Sequence, residues 1–428
     1  VTSGQEAAER AGSLWRERPF FLTWASSAVS QVGDRVSEVA VPLIAVTALD
    51  ASAGQVAWLT ALAWAPNLLG MLIGAWVDGR AGKRRLIIGC DVFRAAVLLT
   101  LPAAHLWGTL TTAHLFAAVL LCGVASVVAG CAFTPLFTWL LPRTSYVDAN
   151  SKFSAARSAS FIAGPALGGG LVQALTAPVA VVVDALSFLG SALLLRWVRV
   201  EEPVPERRNR RGVWHGARQG LVFVLRHPVL RASLGCTTTI NFFTFLTGSG
   251  LVVLFADREL ELPPGAIGLT LGIGASGSLV GALLAPWVSR RIGIGRAVAV
   301  GAVLFPAPLA LVVVADGPLW ARAGVLGGAE FLIGIGVMLF DVNLNSLMAA
   351  AIPGEMRSRV TGAYSTVNYG VRPLGAVAGG ALATGFGLRT TFVVAAVGGM
   401  LSLLWLLPSP IPGIRRLDAM ERYERVDA

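Results

Sequence analysis

The segment GAWVDGRAGKRRLIIG, residues 74–89, cuts through one of the most apolar stretches of the chain. Before it runs Leu68-Leu69-Gly70-Met71-Leu72-Ile73. Within it come Asp78, two glycines and the bases Arg80, Lys83, Arg84 and Arg85, and from Leu86 the chain is apolar again. A short charged turn between apolar runs of about 20 residues is the pattern of a loop joining two membrane-crossing helices, because about 20 residues at 1.5 Å each cover a hydrocarbon core about 30 Å thick. The whole composition agrees: of 428 residues, 55% are hydrophobic and 14% charged, against about 25% charged in soluble domains.

Working outward, apolar runs of this kind recur twelve times, at 19–47, 54–77, 86–107, 112–137, 155–175, 178–196, 230–254, 266–288, 297–315, 320–341, 361–384 and 389–408. The first follows a polar, Arg-bearing tail and lacks a small-residue cleavage site, so it reads as an uncleaved anchor. The net charge of +10 would suit nucleic acid if it were spread over a soluble surface. Instead, most Lys and Arg fall in the two tails and in every second loop, with Arg258, Arg322 and Arg389 on the other side and Arg35, Arg94 and Arg372 inside spans. That bias places both termini in the cytoplasm and makes the bilayer, not nucleic acid, the partner of the positive charge. Only Lys83 and Lys152 among the 34 basic residues are lysine, a usage that fits a GC-rich bacterial gene and a bacterial inner membrane.

The opening segment has an echo. APWVSRRIGIGRA, at 285–297, sets Trp287-Val288 on Trp76-Val77 at an offset of 211, and the same offset pairs Gly70 with Gly281, Arg80 with Arg291, Arg85 with Arg296, Pro142 with Pro353, and Gly168-Gly169 with Gly379-Gly380. Two six-span halves follow, in parallel orientation because six is even. The expected organisation is a cytoplasmic tail (1–18), a first six-helix bundle (19–196), a basic linker with an interfacial helix (197–229), a second bundle (230–408) and a cytoplasmic tail (409–428). The fold class is all-α integral membrane, twelve helices in two pseudo-symmetric bundles.

These residues resemble the major facilitator superfamily, and within it the bacterial twelve-span drug and siderophore exporters. The loop at Gly74, Asp78, Arg80, Lys83 and Arg84 is similar to that family's loop 2–3 motif, although Gly79 stands where Arg is usual and Ala81 where Gly is usual. Gly164, Pro165, Gly168 and Gly169 resemble the antiporter motif of span 5. DALSF in span 6, FDVNLNS near span 11 and RPLGAVAGG within it match further family segments. Span 4 lacks the Arg that proton-coupled drug exporters carry there. The resemblance implies proton-coupled efflux of a small amphipathic compound by alternating access, with the loop motif latching the halves in one conformation. The alternatives are import or facilitated passage of a metabolite, or, less in keeping with the repeat, a membrane-embedded enzyme.

Charged side chains are costly in the bilayer, about 2.5–3.5 kcal/mol each at its centre, so those present are expected to work. Span 1 is densest: Gln31, Asp34 and Glu38 share a helical face, and Arg35 lies off it, placed to meet an acid on another helix. Asp34 reads either as a proton-exchanging carboxylate or as one partner of a permanent ion pair. Asp91 and Arg94, one turn apart in span 3, are expected to pair with each other. Glu330 in span 10 is another proton-coupling candidate beside Asp34 and Glu38. Gln31, Arg35, Asn67, Asp184, Asn241, Asn368, Tyr369 and Arg372 are the expected cavity residues. GxGxxG at Gly272, Gly274 and Gly277 lies inside a span with no strand before it, and reads as a small-residue packing face rather than a dinucleotide loop. Four cysteines within spans and four scattered histidines give no metal spacing, no Walker A sequence occurs, and no nucleophile and base cluster. The sequence therefore predicts a transporter rather than an enzyme, without cofactor or metal, whose partners are a small-molecule substrate, protons and lipid, working as a monomer.

Overall fold

The computed structural model describes residues 14–141, 145–200, 202, 210–352 and 356–415, and among these it is helical with no strand. Span 1 is the helix Arg18–Leu43 with a π-helical extension Ile44–Ala48. Span 2 is broken: Ala53–Trp64, a 3-10 turn Ala65–Leu69, then Gly70–Asp78. Spans 3 to 6 are Lys83–Leu106, Thr112–Leu140, Tyr146–Leu175 and Ala177–Arg196. Span 7 is also broken, into Pro228–Thr244 and Gly248–Arg258. Span 8 is Pro264–Ile292, span 9 Ile294–Leu304 with Leu309–Val312, span 10 Leu319–Ala351, span 11 Arg357–Phe386, and span 12 Leu388–Met400 with Leu403–Leu406.

Local chemistry explains the ends and breaks. Ser52 and Gln55 form a capping box at the start of span 2, the Gln55 backbone N–H donating to Ser52 Oγ at 3.3 Å and the Ser52 N–H to Gln55 Oε1 at 2.8 Å. The break in span 2 falls at Pro66, which has no N–H for the helical ladder, and Asn67 Nδ2 donates to the Trp64 carbonyl at 3.2 Å. Among the described residues, nine helices are long and apolar enough to cross a membrane. Spans 1, 2 and 11 fall outside that count. Spans 1 and 11 carry intramembrane charges and span 2 is broken, and all three line the cavity described below.

Span 5 begins at Tyr146 rather than at residue 155 as hydropathy suggested. Its first turns carry Asp148, Asn150, Lys152 and Arg157 and so look like loop in a hydropathy reading, while tertiary contacts keep them helical. The linker contains a helix, Arg210–Arg226, lying against span 11, with Val224 buried beside Val360 and Tyr364. Residues 203–209 of the basic run, like the tails 1–13 and 416–428, lie outside the described residues.

The internal repeat is visible in the packing of paired glycines. Gly164 and Gly168 in span 5 lie directly against Arg35 and Val36 of span 1, while Gly169 abuts Gly268 of span 8. In the second half, Gly375 and Gly379 in span 11 lie against Phe242 and Leu246 of span 7, and Gly380 abuts Gly54 and Ala57 of span 2. Each half thus packs one helix onto its own first helix and onto the second helix of the other half. The glycines of span 8 serve similarly, with Gly274, Gly277 and Gly281 against Glu330, Phe331 and Ile335 of span 10.

Among the described residues, the buried apolar contact between the halves gathers toward one end. At the end away from the termini, a single buried apolar cluster joins them, with Val39, Leu43 and Val56 from the first half and Leu251, Val253 and Ile267 from the second. There Arg258 Nη2 donates to Asp50 at 2.6 Å and to the Ala51 carbonyl at 3.0 Å. At the termini end the buried clusters divide. Leu22, Val77 and Leu136 belong to one confined to the first half, and Leu230, Phe340 and Ile411 to one confined to the second.

Candidate functional site: a two-chambered cavity between the halves

Between the halves lies a chamber of about 790 Å³. Span 1 contributes Asp34, Ser37 and Glu38, the broken span 2 Thr60, Trp64 and Asn67, and span 3 Arg94. Cys122 and Ser126 come from span 4, Asp184 from span 6, and Ser249, Ser365, Thr366 and Tyr369 from the second half. Its polar groups therefore sit among apolar walls, the arrangement of a small-molecule site.

The first-half wall is ionic. Arg94 is 89% buried at its side chain, donates to Asp34 through Nη2, and has its guanidinium 3.7 Å from the centre of the Phe188 ring. Its Nε is buried without a hydrogen-bond partner. Asp184, one turn before Phe188, is buried and accepts from Ser37 Oγ and, at 3.2 Å, from Ser187 Oγ. Span 6 reaches span 1 this closely because residue 33 is glycine, with Asp184 and Ser187 where a side chain would be. Two turns further along span 6, Ser191 Oγ donates to Asp91 Oδ2 at 2.7 Å and pairs with Ser26 Oγ at 2.8 Å.

The second-half wall is built around one cation, Arg372, with Asp341 of span 10 within electrostatic reach of it. Arg372 Nε donates to Asn241 Oδ1 at 2.9 Å, and Asn241 Nδ2 donates to Asn368 Oδ1 at 2.9 Å. The Arg372 guanidinium lies over three rings, Trp64 at 4.3 Å, Tyr369 at 4.5 Å and Phe245 at 4.9 Å. Trp64 belongs to the first half, so this cation–π cage spans the halves.

A second chamber, of about 800 Å³, adjoins the first within the first half, sharing Arg94, Ser126 and Gly130 with it. Gln31 and Arg35 line it, with Asp91, Asn150 and Arg157.

Several sequence expectations are corrected by this geometry. Arg94 pairs with Asp34 rather than with Asp91, because its side chain reaches across to span 1 while Asp91 is taken by Ser191. Arg35 meets Glu38 on its own helix at 2.6 Å, not an acid elsewhere. Gln31 separates from Asp34 and Glu38: it binds Ser27 and faces the second chamber. Asn241, Asn368 and Arg372 line neither chamber but hold Trp64 and Tyr369, which line the first. Glu330 also lines neither, lying against Gly274 of span 8.

Around the opening loop, Lys83 Nζ donates to the carbonyls of Val77 and Arg80, and Arg84 donates to the carbonyls of Arg196 and Val198. Glu202 accepts from the backbone N–H groups of Lys83 at 2.5 Å and Arg84 at 3.1 Å, a carboxylate at a helix N-terminus. Each of these named contacts lies within the first half and the start of the linker. The side chain of Asp78 lies outside the described residues. Ser37, Trp64, Arg157 and the pairing role of Arg94 went unread in the sequence; only the depth of Arg94 in an apolar span was a signal.

A cavity between two pseudo-symmetric bundles of membrane-crossing helices, whose buried apolar clusters join at one end and are parted at the other, defines a secondary transporter. The Major Facilitator Superfamily pattern matches residues 23–376, and the chain belongs to that superfamily. It is 28% identical over 423 residues to the multidrug efflux pump Tap of Mycolicibacterium fortuitum, covering 94% of this chain and 97% of that one. It is 24% identical over 425 residues to the uncharacterized MFS-type transporter YfiS of Bacillus subtilis, covering 94% and 96%. Among solved structures it is similar in fold to a bacterial homologue of the iron transporter ferroportin in an inward-facing state (TM-score 0.69, 17% identity, 91% of this chain and 99% of that one). The nucleoside transporter NupG is also similar (0.68, 14%, 95% and 99%).

Proposed function

We propose that the chain is a proton-coupled exporter of small amphipathic compounds in a bacterial cell membrane, with both termini cytoplasmic, acting as a monomer. The observation that carries this reading is the Asp34–Arg94 pair on the chamber wall, with the buried Asp184 alongside. An acid that faces the chamber while touching a deep cation has two stable states: ionised and paired, or protonated and released. The positive-inside bias makes the parted end cytoplasmic. The described conformation is then open to the cytoplasm with Asp34 paired, the state that has delivered its proton inward and is ready for substrate. Resemblance to Tap over nearly the whole chain supports export, and Trp64, Tyr369 and the apolar wall supply the surface for an amphipathic body.

Asp34→Asn tests the reading in proteoliposomes with an imposed pH gradient. The amide has the size of the protonated acid but cannot lose a proton, so uphill efflux should vanish while downhill exchange of the same compound persists. Normal uphill efflux in this variant would remove Asp34 from coupling. A lower folded yield with coupling intact would make it a structural pair only.

A further inference from the structure

The two chambers carry opposite charge. The central one presents Asp34, Glu38 and Asp184 against Arg94 alone, whereas the second presents Arg35, Arg94 and Arg157 against Asp91 alone. In the second chamber most of these charges are answered: Arg35 by Glu38, Arg94 by Asp34, and Asp91 by the Ser191 hydroxyl. Arg157 is different. It stands about three turns into span 5, exposed toward the chamber, and has no ion-pair or hydrogen-bond partner among the described residues. Asn150 and Phe153 share its helical face, Thr134 and Thr138 stand on span 4, and Tyr146 Oη donates to the Thr138 carbonyl at 3.1 Å, leaving its oxygen free to accept.

We infer that the second chamber is an anion subsite, and that the exported compound carries an acidic group, a carboxylate or a phosphate, in addition to the apolar body held in the central chamber. A guanidinium presents paired N–H donors that match a carboxylate or phosphate in two parallel hydrogen bonds, and hydroxyls and an amide beside it complete the shell of such a group. Positive charge in a cleft with apolar walls also draws anions in from water. The chambers adjoin at Arg94, Ser126 and Gly130, so one molecule spans both, and its acidic end lies away from Asp34, Glu38 and Asp184, which repel it. Span 5 packs on span 8 of the other half through Gly169 and Gly268, so an acidic group bound at Arg157 sits on a helix that bridges the moving bodies.

This inference rests on the exporter reading, and the test separates the two. The full chain, purified and reconstituted, is titrated with an aminoxanthene (rhodamine-type) dye whose one acidic group is a free carboxylate and with the methyl ester of the same dye, and efflux of each is followed in proteoliposomes. Efflux of the ester, which has no anion, answers to the exporter reading alone, and if neither dye moves or binds, that reading falls and takes this inference with it. The expected result is binding of the carboxylate dye about tenfold or more tighter than its ester, as one charge-assisted contact provides. That preference should fall to near one in Arg157→Gln and return in part in Arg157→Lys, with unchanged thermal unfolding showing that the variants are folded. Equal affinity for the two dyes in the wild type would overturn the inference, as would a preference that survives in folded Arg157→Gln. Tightening of the ester by added inorganic phosphate would also overturn it, by assigning the anion to solution instead of substrate.

Discussion

The two halves solve one packing problem with exchanged residues. In the first half, Arg35 on span 1 lies over the Phe161 ring of span 5 at 4.5 Å; in the second, Arg372 on span 11 lies over Phe245 of span 7 at 4.9 Å. The 211-residue offset puts Arg372 where the first half has Phe161, and Phe245 where it has Asp34. The seat for a cation on a ring is kept while the helix that supplies the cation changes. The ion pairs are not kept. Asp34, Glu38, Arg94 and Asp184 correspond to Phe245, Ser249, Phe305 and Ala395, so the ionic cluster of the first half has no counterpart at those positions in the second.

The largest effect should follow from breaking the ionic wall at its centre. Arg94→Gln leaves Asp34 without its cation and beside the buried Asp184. Losing one partner of a buried pair costs about 3–5 kcal/mol, and the 42% exposure of the Asp34 side chain brings the expected loss down to about 2–3 kcal/mol. Thermal unfolding of the purified protein measures it, and adding Asp34→Asn to the same chain should recover part of the loss. If the single and double variants unfold together, the pair is not what holds this wall.

Where the halves are alike, paired changes should act alike. Gly268→Val on the seam of spans 5 and 8, and Gly380→Val on the seam of spans 2 and 11, each place a side chain against opposing backbone or a facing alanine. Overpacking of this kind costs about 1–3 kcal/mol, here only in conformations where that seam is closed. Spin labels at the exposed positions Asp50 and Glu261, one on each half, should move apart in both variants. A change in one variant only would mean that the pseudo-symmetry of the glycines does not extend to their mechanical role.

The sequence made the architecture legible because hydropathy, charge bias and a long-period repeat are all one-dimensional signals. Span edges suffered where helices run past the apolar region, as at Tyr146 in span 5. The site was legible by type and not by pairing. Depth alone marked Asp34, Arg94 and Arg372, but which acid an arginine meets depends on the rotation of its helix and the length of its side chain, and so Arg94 was assigned to its near neighbour Asp91 instead of to Asp34 on another span. Arg157 was hidden for a further reason: a base near a span end satisfies the positive-inside pattern wherever it points.

The smallest effect, and the sharpest comparison, comes from making the first half resemble the second at one position. Glu38→Ser installs the residue that the offset places at Ser249, which lines the same chamber. Its ion pair with Arg35 is 2.6 Å long but lies between side chains 41% and 29% exposed, so water already competes for both, and removing it should change stability by about 0.2–1 kcal/mol. Arg35 keeps its place over Phe161 and its stem against Gly164. If Asp34 is the exchanging acid, Glu38→Ser retains pH-driven uphill efflux, with at most a modest change in rate. Efflux that fails in Glu38→Ser while surviving in Asp34→Asn would move the coupling acid one turn along span 1, to the residue whose partner lies on its own helix, and the charged wall would then couple through span 1 alone instead of through its contact with span 3.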